Sequence, residues 1–253
     1  MRLAIVHDDF IQHGGAERLV LQLLKLYPNA ILYTSFMLKE WQQVFKEDGI
    51  KFKTSFMQYL PAKKKLYKVY AGLGFYPLAF ESFNFDEYDI VLSVSARFAH
   101  GIVTKPSTYH ISYINSPPRM FWEFYDYYES FFISSNKLLT NLCLGYLKIV
   151  STFCRTWDYY ASQRSDKILA NSKTPQNKIK KYYARDSEVL YPFVDLKLYE
   201  NIKLTKEDFY LVISRLSSWK KVEQAIEACI QTGDKLKVAG TGEELSNYRK
   251  LAE

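Results

Sequence analysis

The apolar residues of this chain follow two alternating rhythms. Short continuous runs rich in Val, Ile and Tyr, at RLAIVHD (2–8), AILYTSF (30–36), DIVLSVS (89–95), HISYIN (110–115), KILANS (167–172) and SEVLYP (187–192), read as strands. Between them the apolar positions recur at helical spacing. Ala16, Leu19, Val20, Leu23 and Leu24 follow i, i+3, i+4, i+7, i+8, which predicts a helix soon after the first strand with one stripe packed on a sheet. Strands alternating with helices predict an α/β fold, a parallel sheet covered on both faces.

The rhythm breaks at YPFVDLKLYENIKLTKEDF, where Pro192 ends a strand and a charged, weakly periodic stretch follows. It then restarts, with a strand in FYLVISRL, a helix in KKVEQAIEACIQTG carrying Val222, Ala225, Ile226, Cys229 and Ile230 on one face, a strand in DKLKVAG and a helix to the end. The expected division is a first domain over 1–195, a linker over 196–207 and the start of a second domain over 208–253. Two strands fall short of the roughly five or six of an ordinary open sheet, so the second domain is expected to be incomplete, as in a fragment or truncated product.

Composition narrows the function classes. Of the 253 residues, 48% are apolar, enough for one or two real cores. Aromatics reach 17%, with 21 Tyr and 17 Phe, more than a core needs, which points to exposed rings at a surface or cleft. The net charge of +7 biases the surface toward anions without choosing among phosphates, nucleic acid and acidic lipid. Cys143, Cys154 and Cys229 are widely spaced with no CxxC, which supports neither a disulfide framework nor a zinc cage and fits a reducing cytoplasm. No secretion signal is read at the N-terminus. The most apolar window, FFISSNKLLTNLCLGYLKIVSTF, is interrupted by Lys, Asn and hydroxyl residues and reads as a helix lying near a membrane surface rather than across it.

Three places carry candidate chemistry. The first strand runs through an acidic turn into HGGAERLV, which sets Gly14 and Gly15 at a helix N-terminus, where free N–H groups and the helix dipole favour a phosphate. A glycine here can equally serve a tight turn, and no GxGxxG is present, which disfavours a nicotinamide dehydrogenase. In VISRLSSWKKVEQAIEA, Ser214 and Arg215 end a strand and Lys220 opens the next helix, the carboxyl edge where open α/β sheets bind ligands. Arg215 can grip phosphate oxygens through its planar fork and Lys220 adds a point charge, although surface cations are commonly just solvated. VAGTGEEL then places Gly240 and Gly242 at a further strand-to-helix turn. Two facing units with these features imply a cleft that takes a diphosphate-bearing ligand.

Taken in order, GGAER, ILANSKTPQNKIKKYYARDSEVLYPFVD and LVISRLSSWKKVEQAIEA…LKVAGTGEEL resemble glycosyltransferase family 4, retaining enzymes of the GT-B fold. YDIVLSVSARFAHG followed by YINSPPRMFWEFYDYY is similar to the mannosyltransferase-like branch that builds bacterial surface polysaccharides, and the resemblance runs along essentially the whole chain. It implies a complete N-terminal Rossmann-like domain on the acceptor side and an incomplete second one on the nucleotide-sugar side. Gly14 and Gly15 match the glycine turn near the donor diphosphate, and Glu17 the acid of the same motif. Arg215 and Lys220, with Ser214 beside them, match the cations that hold the diphosphate and stabilise the departing nucleotide, and Gly240 and Gly242 match the glycine turn near the nucleotide.

The chain departs from the family at two points. The segment resembling YINSPPR usually carries His where this chain has Asn115, which can hydrogen-bond but cannot carry charge; His100, nearby in sequence, is a candidate partial substitute. The family's E-x7-E motif falls beyond Glu253. The implied reaction moves a sugar, with a lean to mannose, from GDP-mannose or a UDP-sugar to a lipid-linked or polysaccharide acceptor. It uses no cofactor and no metal. LPAKKKLYKVYAGLGFYPLAF (60–80), basic and then aromatic, makes an anionic membrane surface a candidate partner and the inner face of the plasma membrane a candidate location. The alternative function is a non-catalytic nucleotide-sugar-binding or partner subunit. Nucleic-acid binding is disfavoured, because the cations are spread along the chain and no RNP, helix-turn-helix or zinc motif is visible.

Overall fold

The structure is a computed structural model that describes residues 1–123, 137–193, 196 and 207–252, with backbone alone at 68 and 137–144. The chain divides into two compact units, Met1–Phe193 and Val194–Glu253. The linker expected at 196–207 lies outside the described residues except at its two ends, as do FFISSN of the apolar window and the EFYDYY end of the motif after Asn115, apart from Glu123.

The first unit is built on strands β1 (Leu3–His7), β2 (Ile31–Thr34), β3 (Phe52–Thr54), β4 (Ile90–Ser95), β5 (Tyr109–Ile114), β6 (Lys167–Ala170) and β7 (Glu188–Val189). They form one sheet in the order β3-β2-β1-β4-β5-β6-β7, all pairs parallel. The six expected strands are present. β3 is the additional one, a three-residue edge strand too short to show a period.

β1 sits centrally, and its residues alternate between two cores. Ile5 faces helices α1 (Gly15–Leu26) and α2 (Lys39–Glu47), where Val20, Leu24, Trp41 and Phe45 are buried. Ala4 and Val6 face the opposite core, which draws on α3 (Lys63–Gly72), α4 (Phe75–Glu81), the short α5 (Arg119–Trp122) and the long α6 (Lys137–Gln163). A smaller cluster packs α7 (Lys173–Tyr183) onto β6 through Ile168, Ile179 and Tyr183.

The aromatic excess is largely an interior feature. Tyr33, Phe36, Tyr76, Phe80, Phe85 and Phe98 are wholly buried, and edge-to-face and stacked pairs such as Tyr76–Phe98, with centroids 4.6 Å apart, fill the core. The expectation of surplus rings at the surface therefore holds for only part of the set.

The second unit pairs β8 (Tyr210–Ile213) with β9 (Leu236–Ala239) in parallel, with α8 (Val222–Thr232) and α9 (Leu245–Ala252). Its core is Leu216, Val222, Ile226 and Tyr248, with Val212, Leu236 and Leu245 against it. Of the stripe predicted for α8, Val222 and Ile226 are buried while Ile230 is exposed.

Candidate functional site

The carboxyl ends of β1, β4 and β5 lie side by side, with His7 in register with Val94 and Ser95 with Ile114. Beyond them the chain leaves β1 as Asp8-Asp9. Asp8 is buried, and its carboxylate accepts three backbone N–H groups from the loop after β4: Ala96 on Oδ2, and Phe98 and Ala99 on Oδ1, each at 2.7 Å. Burial alone would raise its pKa. The charges of Arg97 and His7 and the amides of Phe98 and Ala96 outweigh that, and hold the carboxyl below its usual value.

Asp9 is wholly buried and accepts from Arg97 Nη2 at 2.6 Å and from the Tyr76 hydroxyl at 2.8 Å, both on Oδ2. The guanidinium also lies 5.7 Å from the Tyr67 ring and 5.8 Å from the Tyr76 ring. Asp9 Oδ1 is buried with no hydrogen-bond partner among the described residues. The acidic turn is therefore a stitch across the point where the strand order reverses, and Asp8 occupies loop amides that could otherwise cradle an anion.

At α1 the two glycines have different reasons. Glu17, itself buried, turns its carboxylate back to accept the Gly14 N–H at 2.9 Å. A Cβ on Gly14 would lie 2.6 Å from that oxygen. Gly14 therefore makes room for an internal cap, which is the role the sequence left open for Glu17. Nothing lies within 4 Å of a Cβ placed on Gly15, so neither packing nor a left-handed backbone requires glycine there. The first-turn N–H groups beyond Gly14 lack intrahelical partners, the general geometry that suits an anion.

His100, expected in a loop near the reacting sugar, is instead an interior group. It is 1% exposed, its Nδ1 is 2.9 Å from Ser95 Oγ, and its Nε2 is 3.0 Å from Asp158 Oδ1 on α6. Asp158 Oδ2 accepts the Trp122 indole N–H at 2.7 Å. These contacts tie α5 and α6 to the loop after β4. Asn115 stands at the end of β5. Its backbone N–H donates to the Ser95 carbonyl at 2.8 Å and its Oδ1 accepts from Asn171 Nδ2 at 3.4 Å, leaving Nδ2 buried without a partner among the described residues.

In the second unit, Ser214, Arg215 and Lys220 all lie on the segment between β8 and α8. Ser214 Oγ donates to the Arg215 carbonyl at 2.9 Å. Arg215 and Lys220 are exposed and form no ion pair with any described residue; Lys220 Nζ lies 4.4 Å above the Trp219 ring. Lys220 is not at the start of the helix as the sequence implied. It ends a one-turn 3-10 segment, Ser218–Lys220, because Lys221 takes a left-handed φ of 53° before α8 begins.

Gly240 and Gly242 hold this turn in place. A Cβ would lie 1.8 Å from the Ser214 carbonyl oxygen at Gly240, and 2.0 Å from that of Leu216 at Gly242. The close approach they permit is backbone to backbone, closed by Ser214 N–H to Ala239 O at 3.1 Å and Leu216 N–H to Thr241 O at 2.9 Å.

The sequence reading missed Asp8, Asp9, Arg97, Tyr76 and Asp158. The first two had a signal, consecutive acids directly after an apolar strand. Among the described residues, no three His, Cys, Asp or Glu side chains come together as a metal ligand set.

No protein-family model matches the chain, and no curated protein matches it in sequence. Solved structures do match its fold. Anabaena HepE (Alr3699) in complex with UDP is 15% identical with a TM-score of 0.60, over 99% of this chain and 64% of that one. The same protein with UDP-glucose gives 16% and 0.58 over the same shares. The lipopolysaccharide outer core galactosyltransferase WaaB, in its apo form, is 16% identical with a TM-score of 0.53, over 100% of this chain and 64% of that one. A glycosyltransferase from Rickettsia africae gives 13% and 0.50, over 99% and 63%. This chain thus spans about 64% of the length of HepE and WaaB. Its fold is α/β of the GT-B type, a seven-stranded Rossmann-like unit followed by a second unit that opens with two parallel strands.

Proposed function

We propose that the protein transfers a hexosyl group from a nucleotide-diphosphate sugar to a lipid-linked or polysaccharide acceptor in cell-surface glycan synthesis, with retention at the anomeric carbon. The observation that carries this reading is the turn after β8, which presents Arg215 and Lys220, exposed and without ion-pair partners among the described residues, at a strand's carboxyl end. In the reaction the sugar C1–O bond to the diphosphate breaks, a C1–O bond to the acceptor forms, and a nucleoside diphosphate and a proton leave. Negative charge builds on the departing phosphate while C1 becomes oxocarbenium-like. Cations aimed at that phosphate lower the barrier without covalent chemistry or a cofactor.

Asn115, whose buried amide Nδ2 at the end of β5 has no hydrogen-bond partner among the described residues, is the donor we assign to the reacting sugar on the acceptor side. His100 and Glu17 act as positioning residues, each through a backbone element it secures. The complexes of HepE with UDP and UDP-glucose support a nucleotide-sugar donor and favour testing a uridine donor beside GDP-mannose, the donor the sequence favours.

The test is donor binding and transfer by wild type and Arg215→Ala. Wild type is expected to bind UDP-glucose or GDP-mannose. The variant, with an unchanged circular dichroism spectrum, is expected to transfer about two powers of ten more slowly, about 3 kcal/mol. Absence of binding to any nucleotide-diphosphate sugar, or a variant equal to wild type, overturns the reading.

A further inference from the structure

Helix α6 carries apolar residues on two sides, with Val150, Cys154 and Trp157 against the core and a second set facing outward. It buries Ser151, Cys154, Asp158 and Ala161 toward the sheet, while Tyr146, Ile149, Phe153 and Tyr160 project outward. The outward positions are three, four and seven residues apart and so share one face. Ile149 is 61% exposed and Phe153 74%. Two of the inner positions are polar for identifiable reasons. The Ser151 hydroxyl donates to the Met120 carbonyl at 3.4 Å, and Asp158 receives Trp122 and faces His100.

Helix α3 extends this surface. Tyr146 Oη donates to the Gly72 carbonyl at 3.5 Å, and Leu147 Cδ2 would lie 3.8 Å from a Cβ on Gly72, so the two helices lie against each other. On α3, Val69 is 52% exposed, as is Leu73 just past its end. Exposed apolar side chains gathered on two neighbouring helices mark an interaction site.

The charge around it identifies the partner. Residues 56–80 and 137–157 contain no Asp or Glu. They contain four lysines at 63–65 and 68, then Lys137, Lys148 and Arg155, seven cations in a chain whose entire net charge is +7. Lys64 and Lys65 are exposed. Two copies of such a face would repel, which disfavours a self-dimer. Exposed aromatic and aliphatic side chains on two neighbouring helices whose segments carry lysines, the adjoining acid Glu81 being paired with Arg164 and Trp157, match the interface of an anionic bilayer, where rings sit at headgroup level and each nearby lysine adds attraction to the surface. Among the described residues no helix is long and apolar enough to cross a membrane, so the contact is with the surface.

We propose that the joint face of α3 and α6 docks the protein on an anionic lipid surface, with Ile149 and Phe153 entering the headgroup layer and Lys64 and Lys65 meeting lipid phosphates. The proposal does not depend on the glycosyl-transfer reading, and its test uses no sugar nucleotide. The whole chain is sedimented with vesicles of phosphatidylcholine alone or mixed with phosphatidylglycerol, at low and high salt.

Wild type is expected to pellet with the mixed vesicles at low salt and to be released by salt. Lys64→Ala with Lys65→Ala is expected to lower partitioning roughly thirtyfold, about fivefold per lysine. Ile149→Ser with Phe153→Ser is expected to abolish residual binding at high salt. Both pairs are solvent-facing, so melting temperatures should stay near wild type. A wild type that remains in the supernatant with the mixed vesicles overturns the proposal, as do variants that bind like wild type. So does a dimer in lipid-free buffer that Phe153→Ser converts to a monomer, because the face would then be a subunit interface.

Discussion

Removing the Asp8 carboxylate should cost a large part of the first unit's stability, and the loss should depend on pH in a defined direction. Asp8 is buried and accepts three amides from the loop after β4, each at 2.7 Å. Asp8→Ala leaves the N–H groups of Ala96, Phe98 and Ala99 facing a void. At roughly 1–3 kcal/mol for each unsatisfied buried donor, partly relieved by water, the loss is about 3–6 kcal/mol, against a total stability of about 5–15 kcal/mol for a domain. Asp8→Asn is milder. Its carbonyl oxygen can keep Phe98 and Ala99 on the Oδ1 side, while its NH2 opposes the Ala96 N–H, so about 1–3 kcal/mol is lost.

Because the folded-state pKa of Asp8 is lowered, its contribution is fully present above the unfolded carboxylate value of about 3.9. It is lost as pH falls through the folded value. The gap between wild type and Asp8→Ala should therefore be constant near neutrality and narrow only below about pH 4. Urea unfolding followed by circular dichroism across this range measures it. Asp8→Ala within about 1 kcal/mol of wild type at neutral pH, or a gap that widens on acidification, would refute the claim that this carboxylate stitches β1 to the loop after β4.

The two glycines before α1 should separate in opposite directions. Gly14→Ala must displace the Glu17 carboxylate from 2.6 Å and should lower stability by about 1–2 kcal/mol, while Gly15→Ala meets nothing within 4 Å and should fold as well as wild type or better. If Gly15→Ala also weakens donor binding by calorimetry, a phosphate passes that position; unchanged binding removes Gly15 from the site. Gly242→Ala, with a Cβ 2.0 Å from the Leu216 carbonyl oxygen, should melt the second unit at lower temperature and weaken donor binding through the displaced Arg215 turn. A Gly242→Ala protein with wild-type melting would show that the two loops can separate without loss.

The strands were legible because β1, β4 and β5 are covered on both faces, and such strands appear in sequence as unbroken apolar runs that no exposed segment can sustain. β3 was invisible because Phe52–Thr54 is an edge strand with residues only half-buried or exposed, so neither a run nor a period forms. The aromatic surplus was half misread for a related reason. Composition counts rings but not faces, and the cluster around Tyr33, Tyr76 and Phe98 absorbs many of them. The apolar window that runs into α6 reads in sequence as a helix near a membrane surface, and the described part is a helix whose inner side mixes Val150, Cys154 and Trp157 with Ser151 and Asp158, the last two held by hydrogen bonds to Met120 and from Trp122.

The candidate site shows the same limit at the scale of single atoms. Spacing located Gly14, Gly15, Gly240 and Gly242 at strand-to-helix turns, but glycine at a turn says only that something comes close, and three of the four approaches prove internal. At Gly14 the neighbour is Glu17; at Gly240 and Gly242 it is the backbone of Ser214 and Leu216. What no spacing rule could reveal is that Asp8, 88 residues from Ala96 in sequence, takes up the amides of the loop after β4. With those amides occupied by a carboxylate, an incoming phosphate has less to bind between β1 and β4. Under the proposed function, phosphate contact in the first unit would fall to the first turn of α1, where Gly15 alone among these glycines faces unfilled space. Of these four, Gly15 is the glycine whose presence the protein's own packing does not explain, which is why Gly15→Ala is the substitution that separates a ligand's requirement from the fold's.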